Sequence, residues 1–209
     1  IDNGWPKERI FDLGAIRYYR LPEFLKEEIQ WNSRLKKITV ALPNTKIEVK
    51  ELLLMLKQAF VDKNICTFVL KPHISCPIEG IIKSINFEYI DGKFELCIDD
   101  SLEDLLISSR ALIVTGSTAS LDGIACQCPV IIPRLSSRVD MNPLSGISDG
   151  FAIHVSNQDE LINAVTSIVN SEKSPVEFNK VKSFINEYFT FATAEDEYFL
   201  RLERELLNR

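Results

Sequence analysis

Three features of the sequence predict an α/β fold: a parallel sheet of about six strands with helices on both faces, followed by two C-terminal helices. Short β-rich runs alternate with helical patterns of about 8–15 residues, the rhythm of strand–helix–strand units. Runs such as Leu112-Ile113-Val114 and Val130-Ile131-Ile132 are continuously apolar, as strands covered on both faces are. After Pro175 the alternation stops and two helical patterns follow without a strand between them. The crossovers between strands are expected to be right-handed. Such a sheet is Rossmann-like, and its ligands sit at the carboxyl ends of the strands, where strand order reverses.

Each element has a local reason. Lys37–Leu42 is an apolar run closed by Pro43-Asn44-Thr45, and Val49–Val61 places Leu52, Leu53, Leu56, Ala59 and Phe60 at helical spacing. Ile65–Leu70 is a second strand, stopped by Lys71-Pro72. A helical or irregular stretch over Ile78–Asn86 leads to the Asp91-Gly92 turn and a third strand, Phe94–Ile98. Ser101 caps a short helix over Leu102–Ser109, with Asp104 at its third position. Ala111–Thr115 is the fourth strand, Ser117–Cys126 the helix after it, Pro129–Ile132 the fifth strand and Ala152–Val155 the sixth. Ser156 or Asn157 caps a helix over Asp159–Asn170. Val176–Phe191 and Glu195–Leu207 are the last two helices, the final one with Tyr198, Phe199, Leu202 and Leu206 on one side.

Composition bounds the function. The 209 residues are 45% hydrophobic, enough for one well-buried core. A formal net charge of -6 argues against general nucleic-acid binding, which needs a basic face. Five cysteines, an odd number without a CxxC pair, read as reduced thiols and point to a cytoplasmic protein. No stretch approaches the ~20 apolar residues of a membrane span. The chain starts at Ile1, and Ile1–Leu21 does not read as the start of an independent fold. The expected organisation is an opening segment over 1–30, a Rossmann-like domain over 31–172 and C-terminal helices over 173–209.

Candidate chemistry gathers in the loops after the strands. Thr115-Gly116-Ser117-Thr118-Ala119-Ser120 runs from the fourth strand into a helix. Gly116 permits a tight turn, and the hydroxyls of Ser117 and Thr118 stand beside unpaired N–H groups, a phosphate-binding arrangement. Ser117 can equally be a plain helix cap. Lys71 and His73 follow the second strand, and His73 can bond a phosphate oxygen. His154, inside an apolar strand, reads as structural. Asn44 and Thr45 can reach the same ligand or form an ordinary turn and cap. Asp122, one turn into the helix, can accept from a ribose if it faces the cleft, or simply favour the helix dipole. The loop Ile98-Asp99-Asp100-Ser101 can face a nucleobase through its backbone, with Asp99-Asp100 read as a solvated pair and no metal site expected. Pro133–Gly150, with Arg134, Arg138, Asp140 and Asn142, is a long polar connection of the kind that often carries function.

The stretch Leu112–Pro133 resembles the donor-site motif of GT-B glycosyltransferases, above all bacterial capsule and surface-polysaccharide enzymes. That motif is a strand, a Ser/Thr-rich turn, a helix with an acidic residue, then a small residue and a proline opening the next strand. Lys71-Pro72-His73 is similar to a Lys-Pro-His segment in several of those enzymes, including ones that use CMP-activated sugars. Gly4-Trp5-Pro6-Lys7-Glu8-Arg9-Ile10, with Gly14 and Arg17-Tyr18, resembles the piece joining their two domains. Three positions depart from the pattern: Asp122 stands where Glu is usual, Ile74 where many relatives have proline, and Cys128 where a glycine is expected.

The resemblance implies the C-terminal, donor-binding half of a two-domain transferase. Ser117, Thr118 and His73 would contact the phosphates of a CMP- or UDP-linked sugar, and Asp122 the ribose. His73 would be the catalytic candidate, stabilising the leaving nucleotide with Lys71. An absent N-terminal domain would bring a glycan or polysaccharide acceptor, and the whole protein could associate peripherally with a membrane. No cofactor beyond the donor substrate is implied, and the isolated chain is expected to be inactive. The competing expectations are a UDP-N-acetylglucosamine 2-epimerase-like isomerase and a noncatalytic nucleotide-sugar-binding module.

Overall fold

A computed structural model of the chain describes residues 18, 20–87, 92–137, 142–144, 150–189 and 204. Six parallel strands form one sheet in the order β3-β2-β1-β4-β5-β6. They are β1 (Leu35–Ala41), β2 (Thr67–Lys71), β3 (Phe94–Leu96), β4 (Ser109–Val114), β5 (Val130–Pro133) and β6 (Ala152–Val155). The order steps outward in one direction from β1 and in the other from β4, so the topological switch point lies between these two central strands.

The period-2 alternation of β1, β4 and β5 sends side chains into two cores. Ile38, Val40, Ile113 and Ile131 pack under α2 (Lys46–Phe60), α3 (Glu79–Ser84) and α6 (Gln158–Asn170). Leu112, Val114, Val130 and Ile132 pack on the opposite face with α1 (Leu21–Phe24), α5 (Ala119–Ala125) and α7 (Phe178–Tyr188). Every residue of β4 and β5 is buried, as the unbroken apolar runs predict. Each large side chain moved fully out of water there contributes about 1.5–3 kcal/mol. Helix α5 lies close to the sheet at Gly123: a Cβ at that position would meet Leu112 Cδ2 and Val130 Cγ2 at 2.9 Å.

Helix starts follow their caps. Ser101 accepts from the Asp104 N–H (3.1 Å) at the start of α4 (Leu102–Ser108), and Asn157 from the Glu160 N–H (2.9 Å) at the start of α6. Glu160 returns the bond to the Ser156 N–H at 2.7 Å. Such caps contribute about 1 kcal/mol each.

Arg34 ties the layers together. Its buried guanidinium donates to the carbonyls of Leu106 (2.6 Å), Ser109 (2.7 Å), Cys126 (2.7 Å) and Gln127 (3.1 Å), joining the ends of α4 and α5 to the start of β4. Burial pushes its pKa below the ordinary arginine value, with Cys128 and Cys126 acting in the opposite sense. Gln127, at φ 54°, accepts from the Ile29 N–H (2.8 Å) and donates to the carbonyls of Phe24 (2.7 Å) and Glu27 (2.9 Å), anchoring the segment before β1.

The structure adjusts several expectations. α7 is shorter than Val176–Phe191, and the expected helix over Glu195–Leu207 lies almost wholly outside the described residues, as does most of the opening segment. His154 is exposed rather than structural, because β6 is an edge strand paired only with β5. All five cysteines are free thiols, and four are buried. Burial pushes the Cys66 and Cys128 thiols up to about 12, which leaves them unreactive. No helix among the described residues is long and apolar enough to cross a membrane.

Candidate functional site

A cleft of about 630 Å³ opens at the carboxyl edge of the sheet, straddling the switch point. Strand register builds it. Ala41 at the end of β1 pairs with Lys71 of β2 on one side and Val114 of β4 on the other. Strands lie about 4.8 Å apart, so the chains leaving β2 and β4 emerge about 10 Å from each other, with β1 as the floor. Lys71, Pro72 and His73 line one wall, Ser117, Thr118 and Ala119 the other, and Ala41 and Leu42 lie between them. Ile98, from the chain after β3, stands at the side with 62% of its surface exposed.

The wall after β4 is a tight turn. The Ser117 N–H reaches back to the Thr115 carbonyl at 2.7 Å, centring a three-residue turn on Gly116. Ser117 Oγ accepts from the Ala119 N–H at 3.3 Å, and the Ser117 carbonyl takes the Ser120 hydroxyl at 2.9 Å. Thr118 is the residue preceding α5, without a side-chain capping bond, and is exposed. α5 has only seven residues, so the hydroxyls and N–H groups of the turn matter more here than a summed helix dipole.

The wall after β2 is more elaborate. Lys71 Nζ donates to the carbonyls of Ile98 and of Asp100 (2.6 Å), bracing the loop between β3 and α4. Part of its hydrogen-bonding capacity is therefore spent within the protein, and the Ile98 carbonyl expected to meet a base already accepts from Lys71. His73 is exposed, with Nδ1 held by Ser75: the ring nitrogen is 2.7 Å from Ser75 Oγ and accepts the Ser75 N–H at 3.2 Å. The Cys76 N–H closes the turn on the His73 carbonyl at 2.9 Å. Buried Cys76 and Ile78 fasten the segment to the core, while Ile74 stands 99% exposed.

Several sequence candidates do not line this cleft. Asp122 is buried at 5% exposure, because all seven residues of α5 are packed between the sheet and its neighbouring helices. That placement sets it apart from the residues lining the cleft, where a ribose contact was expected of it. Thr45 is a helix cap, with its side chain 3.4 Å from the Glu48 N–H, and Asn44 is an exposed turn residue. Gly116 shapes the turn without reaching the cleft surface. Asn142 is not a ligand group but a buried anchor: Nδ2 donates to the Thr115 carbonyl (2.8 Å), and Oδ1 accepts from Ser120 Oγ (3.2 Å) and the Leu144 N–H (2.9 Å). Arg134 is exposed, and Arg138 and Asp140 lie outside the described residues. Asp99 and Asp100 are exposed, as a solvated pair would be. Sequence reasoning missed the turn 74–79, which supplies Ile74, Pro77 and Glu79 to the cleft; the two prolines around His73 were its available signal.

The α/β sheet order, with its cleft at the switch point, defines a Rossmann-like class of fold. The sheet and its helices match part of the solved structures of several GT-B glycosyltransferases and of UDP-GlcNAc 2-epimerase. The chain is similar to UDP-GlcNAc 2-epimerase from Methanocaldococcus jannaschii, solved with UDP-GlcNAc and UDP (TM-score 0.52, 18% identity, 88% of this chain and 56% of that one). It is also similar to TarM, known from S. aureus (TM-score 0.56, 16% identity, 84% and 36%). A third likeness is to CalG4, the calicheamicin glycosyltransferase (TM-score 0.54, 16% identity, 73% and 38%). At these identities what is shared is the fold. The chain spans little more than half the length of the epimerase and about a third of TarM. No protein-family model and no curated protein sequence matches it.

Proposed function

We propose that this chain is the donor-binding half of a glycosyltransferase and that its cleft holds a nucleotide-activated sugar, CMP- or UDP-linked. What carries this reading is the meeting of Lys71-Pro72-His73 and Ser117-Thr118, distant in sequence, on opposite walls of one cleft at the switch point. Histidine, hydroxyls and turn N–H groups around a gap of this width suit the phosphate of a nucleotide. Ile98, Pro72 and Pro77 add an apolar border against which a base or sugar face can rest. His73 and the hydroxyls would stabilise charge on the departing nucleotide. A further domain would bring the glycan acceptor, so transfer would depend on closing two bodies around both substrates and shutting out water.

Thermal-shift measurements with CMP, UDP, GDP and their sugars test this. A true ligand stabilises the chain by RT ln(1 + [L]/Kd), about 2.7 kcal/mol at a hundredfold excess over Kd. His73→Ala and Ser117→Ala should each shrink that shift. A shift untouched by both would put the nucleotide elsewhere. An isomerase of the UDP-GlcNAc 2-epimerase type is the second reading, favoured by the larger share of that enzyme's length the chain matches. Turnover of UDP-GlcNAc by the whole protein without any acceptor would establish it over the transferase.

A further inference from the structure

The turn around His73 decides which of its ring nitrogens carries the proton. The Ser75 N–H donates to His73 Nδ1 at 3.2 Å, and an amide N–H cannot accept. Nδ1 therefore uses its lone pair, and in a neutral imidazole the proton then sits on Nε2. Ser75 Oγ lies 2.7 Å from the same nitrogen. Two lone pairs at that distance would repel, so the hydroxyl turns its proton toward Nδ1 and acts as a second donor. The turn is held by the Cys76 N–H on the His73 carbonyl (2.9 Å), by Pro72 and Pro77, and by the buried side chains of Cys76 and Ile78.

We propose that Ser75 is a positioning residue. It holds His73 as the neutral Nε2–H tautomer, so that the ring presents a hydrogen-bond donor to a phosphate oxygen of the bound nucleotide. The ligand in this statement rests on the donor-binding reading above; the tautomer does not. A ring with its Nδ1 lone pair engaged and its Nε2 protonated has no site left to remove a proton from a substrate. His73 in this form is thus suited to hold and neutralise a leaving nucleotide, and unsuited to the general-base step that an isomerisation through proton abstraction would ask of it.

The chain has only two histidines, so the experiment is direct. Long-range proton–nitrogen correlation NMR on the 15N-labelled chain, at a pH where both rings are neutral, reports the tautomer. His154→Gln assigns the signals. The expected result for His73 is an unprotonated Nδ1 and a protonated Nε2. A protonated Nδ1, or the averaged pattern of free imidazole, overturns the proposal. Ser75→Ala keeps the backbone N–H on Nδ1 but removes the hydroxyl donor, so it should move His73 part of the way toward the averaged pattern and weaken CMP or UDP binding about three- to tenfold, the worth of one hydrogen bond. Ser75→Thr should restore both. Ser75 is exposed, so an unchanged melting temperature is expected for either variant. Wild-type affinity and tautomer in Ser75→Ala would overturn the role of Ser75. A chain that binds neither nucleotide defeats the donor-binding reading and the phosphate contact, while the tautomer result stands separately.

Discussion

The carboxyl edge of the sheet has a closed side and an open side. Beyond β4 and β5, Asn142 is buried and spends its amide on Thr115, Ser120 and Leu144; Ser120 is buried against it, and Asp122 is buried further along α5. Beyond β2, His73, Ile74 and Ser75 face water, and across the cleft so does Thr118. The residue types on the two sides overlap: each has hydroxyls and a titratable group. The difference lies in exposure: the closed side's groups are buried, while those of the open side keep surface in water. Buried polar groups must be paired and then stabilise the fold, whereas exposed ones can exchange water for a ligand. A candidate list drawn from polar residue type alone mixes the two, as it did with Asp122 and Asn142.

That contrast can be broken by mutation. The largest effect is expected from Arg34→Met, which strips the donor from four carbonyls packed behind the closed side. Urea unfolding should show a loss of about 3–5 kcal/mol. Asn142→Leu comes next, at about 2–3 kcal/mol, since it leaves the Thr115 carbonyl and the Leu144 N–H without their side-chain partner. On the open side, His73→Ala and Ser117→Ala should each change stability by no more than about 0.5 kcal/mol while reducing nucleotide-dependent stabilisation. If either costs as much as Asn142→Leu, the open edge is structural and the contrast fails.

The smallest effect concerns Glu51 on α2, which receives the Ser136 N–H (2.5 Å), the Ser137 N–H (3.2 Å) and the Ser137 hydroxyl (2.6 Å). Partial burial pushes its pKa up, but the hydrogen bonds from Ser137 and Ser136 outweigh this and hold it below the ordinary glutamate value. A folded-state pKa below the unfolded one stabilises the chain fully above the unfolded value, and that contribution fades as pH falls through the lowered one. Glu51→Gln should therefore flatten the acid side of the stability profile slightly, with solvent screening keeping the change small. An acid limb identical to that of the unaltered chain would mean the serines lend Glu51 nothing.

Much of the fold could be read locally. The caps at Ser101 and Asn157 act over three residues, and the apolar runs of β4 and β5 state their own burial. The Lys71–His73 and Ser117–Thr118 segments were readable as strand-end loops for the same reason. Asp122 was not readable as buried, because helical spacing marks one face of α5 as inward and cannot foresee that every face is covered. His154 was misread because an apolar strand looks the same in the middle of a sheet as at its edge.

The amino-acid order by itself determined the elements, their caps and the two polar loops, since these depend on interactions between residues a few positions apart. Only the tertiary structure decided that β1 lies between β2 and β4, that both loops therefore face one cleft, and that Asn142 and Asp122 turn inward. Strand neighbours are chosen by packing between distant parts of the chain, and no local pattern encodes that choice.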